Sequence, residues 1–405
     1  MLKLAFVFAV IVSLLSRRWN LGYVLLLASA LLGLLFRLPA LEVLNQAWVA
    51  VIDLKTLRLV AAVLLITSLG ELLQEVESMQ RLINSLQELI ADPRLVLAII
   101  PALIGLLPMP GGAMMSAPMI QEIGTQLELS PERKTYINYW FRHVWEYIFP
   151  LYPALILMSG ILDIPLSRLM LAQAPLTVGA IAGGALVGLR GIGRPPEKME
   201  VRPAVRGSQR WHSLRMLAFS IWPIALVIVL SLGFQLELAL SLVLAIVLAA
   251  VVHRMSPRTL GGVLRRSLSP GTALLVFSIM IFKQIVLASG AADALSSAFA
   301  AWGIAPVVTT AAVPFVLGLL TGLTMPMVGI AFPVLLPLIS GSELYLNHVV
   351  LAFGAGFIGV LLSPVHLCLA LTREYFHAEW AGLYRLLLSS AAILSIAVAV
   401  AWFIA

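Results

Sequence analysis

Two short strings place groups able to bind an ion or move a proton inside apolar runs of this chain. They are Arg142-His143-Val144-Trp145-Glu146 and Ser363-Pro364-Val365-His366. Arg142 and Glu146 stand i,i+4, and His143 and Glu146 stand i,i+3, so one helical face would let them pair. That set suits a structural ion pair or, with Tyr152, a proton relay or cation site. His366 follows a proline in an otherwise apolar run. Its ring titrates near neutral pH, and a polar group at membrane depth is costly without a partner. Tyr147 and Tyr152 flank the Pro150/Pro153 break, where they could bond to freed backbone. Pro110, Gly111 and Gly112 form a second kind of candidate. The glycines let backbone N–H groups approach a ligand closely, and the following helix start is partly positive, which suits a carboxylate. Ser116 adds a hydroxyl about one turn later. Thr321, Thr324, Pro326 and Gly329 form the parallel set further on. Carbonyls freed by Pro364 could coordinate Na⁺, near Ser363 or near Ser116.

The elements that must position these residues follow from composition. The chain has 405 residues, 61% of them hydrophobic and only 11% charged, with a mean hydropathy of +1.03. A soluble domain carries about 25% charged residues, so this is the composition of a polytopic all-α membrane protein. A nucleic-acid partner is excluded despite a net charge of +7, which cytoplasmic loops explain. The single cysteine, Cys368, rules out an intrachain disulfide and any cysteine-clustered metal site. No P-loop, plausibly spaced triad or His/Glu metal motif is present, so neither a cofactor nor a resident metal is expected. Lys3 and the run to Leu15 resemble a signal peptide, but Ser16-Arg17-Arg18-Trp19 offers no cleavage site, so a retained helix is expected.

Full spans are expected near 2–16, 20–36, 56–75, 136–161, 167–190, 213–233, 236–252, 271–288, 346–371 and 382–404. The stretches 94–120 and 301–340 are broken centrally by proline and glycine, as re-entrant hairpins would be. Most loop lysines and arginines then fall on one face, including seven between Arg190 and Arg215. That face is cytoplasmic by the positive-inside rule, with both termini outside. The basic loop itself reads as a topology anchor. Glu71 and Lys283, late in their spans, read as charges reaching an interface.

The order of spans repeats: three spans, a broken hairpin, an interrupted span and a final span. The tips Met109–Pro118 and Met325–Pro333 are alike, and Pro150/Pro153 match Pro364 in position. Five spans per half is odd, so the halves would be inverted, with paired discontinuous segments meeting at the midplane. That is the sequence pattern of a secondary transporter.

LLPMPGGAMMSAP, FRHVWEYIFPLYP and GVLLSPVHLCLALTREYF resemble the prokaryotic membrane family called domain of unknown function 401. That family is similar to a branch of the ion transporter superfamily of arsenite, sodium/proton, citrate, dicarboxylate and gluconate permeases. The resemblance implies a homodimer with a scaffold and a mobile transport domain, working by an elevator-like motion. The Ser-Asn-Thr tips of the dicarboxylate branch are missing, so di- or tricarboxylate specificity is not implied. The chain divides accordingly: 1–93 and 213–300 as scaffold, 94–190 and 301–405 as hairpins and broken helices, and 191–212 as a basic cytoplasmic linker. The expectation is a transporter in the cytoplasmic membrane for a small, organic anion, coupled to Na⁺ or H⁺. A cation/proton antiporter using His143, Glu146 and His366 is the alternative. An intramembrane enzyme, with Glu146 and His366 as acid and base, needs no inverted repeat or paired tips, and no enzyme is expected.

Overall fold

A computed structural model describes residues 2–17, 19–90, 92–106, 112–193, 207–340 and 342–405. Every regular element among them is helical. Among the described residues, six helical stretches, one of them interrupted, are long and apolar enough to cross a membrane: Leu54–Glu75, Leu166–Leu189, Ser208–Gly233, Pro270–Ala288, Tyr345–Phe376 and Trp380–Ile404. The fourth and last of these run without an interior proline. Leu166–Leu189 and Ser208–Gly233 each end in a π-helical turn, Gly184–Leu189 and Val229–Gly233.

Leu2–Ser16 has the short length expected of it, and Leu21–Leu35 and Leu238–Val252 are each two residues shorter than expected; all three have 15 residues. At 1.5 Å per residue that is about 22 Å, against a hydrocarbon core of about 30 Å. Four further short helices were not anticipated at all: Ala40–Ile52, Ser78–Leu89, Pro257–Ser267 and Ala291–Ala301. Leu41, Leu44, Trp48 and Ile52 leave the first of these with an exposed apolar face. Those runs are too short or too polar to read as spans, which is why a span-length criterion passes over them.

Both stretches broken by proline and glycine are helix–break–helix units. Pro93–Ile104 packs against Ala113–Gln126, and Pro306–Thr321 against Thr324–Ile339. The expected span 136–161 is also broken, into Pro131–Arg142 and Pro153–Leu162, separated by turns. Its counterpart divides into Tyr345–Leu362 and Leu367–Phe376 around Ser363–His366.

Ten of the described α-helices precede residue 190 and ten follow residue 207. Their packing partners exchange between the halves. Leu21–Leu35 lies on Pro270–Ala288, as Leu238–Val252 lies on Leu54–Glu75. Ala113–Gln126 lies on Leu367–Phe376, as Thr324–Ile339 lies on Pro153–Leu162. Leu166–Gly183 and Trp380–Ile404 pack on one another. Each half therefore lays its second hairpin arm on the short helix that follows the other half's break.

The interior around the breaks is aromatic, with Tyr136, Tyr139, Trp140, Tyr147, Phe353 and Phe357 fully buried. Trp140 Nε1 donates to the Ala180 carbonyl at 2.8 Å, and the Tyr136 hydroxyl bonds Ser390 Oγ. Glu71 pairs with Arg266 at 3.4 Å. Lys283 Nζ donates to the Ile161 carbonyl at 2.7 Å, placing a cation at the C-terminal end of Pro153–Leu162, where the helix dipole favours it.

Candidate functional site

Four breaks in regular helix meet at one cavity of about 340 Å³, within the usual range of ligand pockets. Proline and glycine create the ends that line it. Pro131–Arg142 stops at Arg142 and contributes His143 as its C-cap. Pro153–Leu162 starts after Tyr152, Thr324–Ile339 starts at Thr324, and Leu367–Phe376 starts after His366. A helix start leaves its first N–H groups without intrahelical acceptors. Three such starts border the cavity, together with Gly105 from the end of the first hairpin arm.

Arg142, His143, Glu146, Tyr152, Thr324, Pro326 and His366 all line the cavity, and so does Cys368. The four polar side chains of the first string and its break are thus brought together with Thr324 and His366 from the other half. The helix expected to carry Arg142 and Glu146 on one face ends at Arg142, and a run of turns carries Glu146 inward instead. His143 Nε2 lies 3.7 Å from Glu146 Oε1. The Tyr152 and Thr324 hydroxyls are 3.1 Å apart.

Arg142 is buried, and its Nη1 donates to the Ile104 carbonyl at 3.1 Å. Its guanidinium lies against Gly112: a Cβ on that glycine would sit 2.5 Å from Nη1. A side chain at Gly112 would therefore displace the guanidinium end of Arg142, which reaches this position from the broken helix.

Other candidates stand elsewhere. Ser116 is buried within its own helix, where its Oγ donates to the Ala113 carbonyl at 3.2 Å, and it does not line the cavity. Gly329 is not at a tip but inside Thr324–Ile339, against Ile279. Ser363 Oγ donates to the Leu319 carbonyl at 2.7 Å, tying the break to the second hairpin. Pro364 is exposed. Pro110, Gly111 and most of the basic linker lie outside the described residues.

Two cavity residues escaped sequence reasoning. Gly322 forms the second hairpin's turn, with φ of 63°. A Cβ there would lie 2.8 Å from the His366 backbone nitrogen and 2.9 Å from Ser363 Oγ. A glycine just past an apolar helical run is a helix-stop signal, overshadowed here by the Met-Pro string that follows. Cys368 is two residues beyond His366, a spacing that one helix would not turn to one side. The two share a site because His366 sits before the helix starts.

The family model described as "Protein of unknown function (DUF401)" matches residues 1–405. No curated protein matches the chain.

Proposed function

Starting from a chain that belongs to this DUF401 family, we propose a secondary active transporter that moves a small, organic anion across the cytoplasmic membrane. The carrying observation is the cavity where Arg142, three helix starts and the paired hydroxyls of Tyr152 and Thr324 converge from both halves of the chain. A buried guanidinium and unpaired backbone N–H groups are complementary to a carboxylate or oxyanion. The exchanged packing of the two halves supports inverted repeats, each with a re-entrant hairpin. In that reading 94–190 and 301–405 move as the transport domain against 1–93 and 213–300, within a homodimer. Both termini face outside, and transport is coupled to Na⁺ or H⁺. Cation/proton antiport is the second reading, favoured by the His143–Glu146 approach of 3.7 Å.

The test is a thermal-shift screen of the detergent-purified protein against mono-, di- and tricarboxylates and inorganic oxyanions, each in Na⁺ and in K⁺. A carboxylate or oxyanion should raise the melting temperature of the parent and raise that of Arg142→Ala less at the same concentration. A panel with no stabilising anion, or equal stabilisation of both proteins, would contradict the anion reading.

A further inference from the structure

His143 and His366 reach the same point from opposite halves of the chain. Each ring is fixed by its Nδ1, which lies 2.9 Å from the Tyr139 carbonyl in His143 and 3.2 Å from the Val360 carbonyl in His366. A carbonyl only accepts, so both Nδ1 atoms donate. In the neutral ring the other nitrogen then has a bare lone pair. The two Nε2 atoms face each other at 3.1 Å; with both rings neutral these are two opposed acceptors, which a shared proton or a metal cation would bridge.

The surrounding donors indicate which cation. Cys368 Sγ and the two histidine ligand atoms lie within 4.8 Å of one another, and all three residues are buried. Glu146 Oε1 approaches His143 Nε2 at 3.7 Å, while Glu146 Oε2 is buried without a hydrogen-bond partner. Glu146 as a whole is only 8% exposed. Two imidazole nitrogens, a thiol and a carboxylate are a set for a borderline transition metal, not for Na⁺, Mg²⁺ or Ca²⁺, which prefer all-oxygen shells. Two histidines on one tetrahedral Zn²⁺ stand about 3.3 Å apart, from Zn–N distances of ~2.0 Å. The Nδ1–H bond to a carbonyl is the outer-shell contact that orients metal-bound histidines.

We propose that His143 Nε2, His366 Nε2, Cys368 Sγ and Glu146 form a Zn²⁺-class metal site in the wall of the cavity. Binding releases the thiol proton of Cys368 and any carboxyl proton on Glu146 to solvent, leaving a thiolate and a carboxylate on the metal. Thiolate and carboxylate then balance the dication, so the occupied site adds no net charge to the apolar interior. The ligands come from both halves: His143 and Glu146 from the turns after Pro131–Arg142, His366 from the break after Tyr345–Leu362, and Cys368 from the start of Leu367–Phe376. The metal would join the two broken helices, independently of whether the protein transports anything.

The experiment uses full-length protein in detergent, with any affinity tag removed and metal stripped by chelator. Zn²⁺ binding is followed by calorimetry and elemental analysis, and Co²⁺ binding by absorption. The parent should take up one Zn²⁺ per chain and show a Co²⁺–thiolate charge-transfer band. Cys368→Ser should abolish that band and weaken Zn²⁺ binding at least tenfold while eluting as the parent does. His366→Ala should remove stoichiometric binding. If His366→Ala does not fold, the Cys368→Ser band decides alone. Absence of stoichiometric Zn²⁺ in the parent, or a Co²⁺–thiolate band surviving in Cys368→Ser, would overturn the site. Because the readout is metal binding, a failed transport assay leaves this result intact, and failure here leaves the anion reading intact.

Discussion

Arg142 reaches the first hairpin's tip through the space that Gly112 leaves vacant, and a charge-assisted hydrogen bond to an anion is worth about 1.5–3 kcal/mol. Arg142→Ala should therefore weaken binding of any stabilising anion about tenfold to a hundredfold, measured by calorimetry. Gly112→Val should have a similar effect by displacing the guanidinium, with the protein still monodisperse in detergent. Ser116→Ala is the contrasting case. Its hydroxyl bonds the Ala113 carbonyl inside one helix, so anion affinity should change by less than about twofold, or ~0.4 kcal/mol. Sequence spacing identified Arg142, His143, Glu146, Tyr152, Thr324 and His366 because each is a polar group in an apolar setting that must be explained. It misplaced Ser116 and Gly329 because a tip string does not say where its turn falls. The second turn is set by Gly322, three residues before Met325.

At the scale of elements, the second hairpin is fastened to the second break by two contacts. Ser363 Oγ donates to the Leu319 carbonyl at 2.7 Å, and Gly322 turns under the His366 nitrogen with φ of 63°. Gly322→Ala would meet both a left-handed backbone and occupied space. Strained backbone of this kind costs about 1–3 kcal/mol, so a lowered melting temperature is expected in detergent. At the start of Leu54–Glu75, Lys55 Nζ pairs at 2.9 Å with Asp163, which lies beyond the end of Pro153–Leu162 and outside the spans. The Lys55 ammonium holds the Asp163 carboxyl below the ordinary carboxylate range. A lowered folded value stabilises above about pH 3.9, the unfolded value, and is lost as pH falls through the folded one. The pair is exposed and worth about 0–1 kcal/mol. Asp163→Asn should then melt within a few degrees of the parent, and by the same margin at pH 5 as at pH 8. Proline and glycine made the four breaks legible in advance. The short helices Ala40–Ile52 and Ser78–Leu89 were not, since their amphipathic runs satisfy neither a span nor a tip.

For the whole molecule, hydropathy made a helical membrane protein legible, and the matched breaks suggested two related halves. The contacts between halves were not legible, because partner choice depends on which faces meet in three dimensions. Those contacts bring Ala113–Gln126 to Leu367–Phe376 and Thr324–Ile339 to Pro153–Leu162, and so place ligand groups from both halves around one cavity. We propose that this cavity carries an anion across the membrane through Arg142. Uptake into proteoliposomes tests it most directly, using a radiolabelled carboxylate chosen by the thermal-shift screen and an imposed Na⁺ or pH gradient. The parent should show saturable, gradient-driven uptake, and Arg142→Ala at least tenfold slower uptake at a substrate concentration below saturation. Uptake by Arg142→Ala equal to the parent's, or a parent indistinguishable from empty liposomes under both gradients, would contradict it.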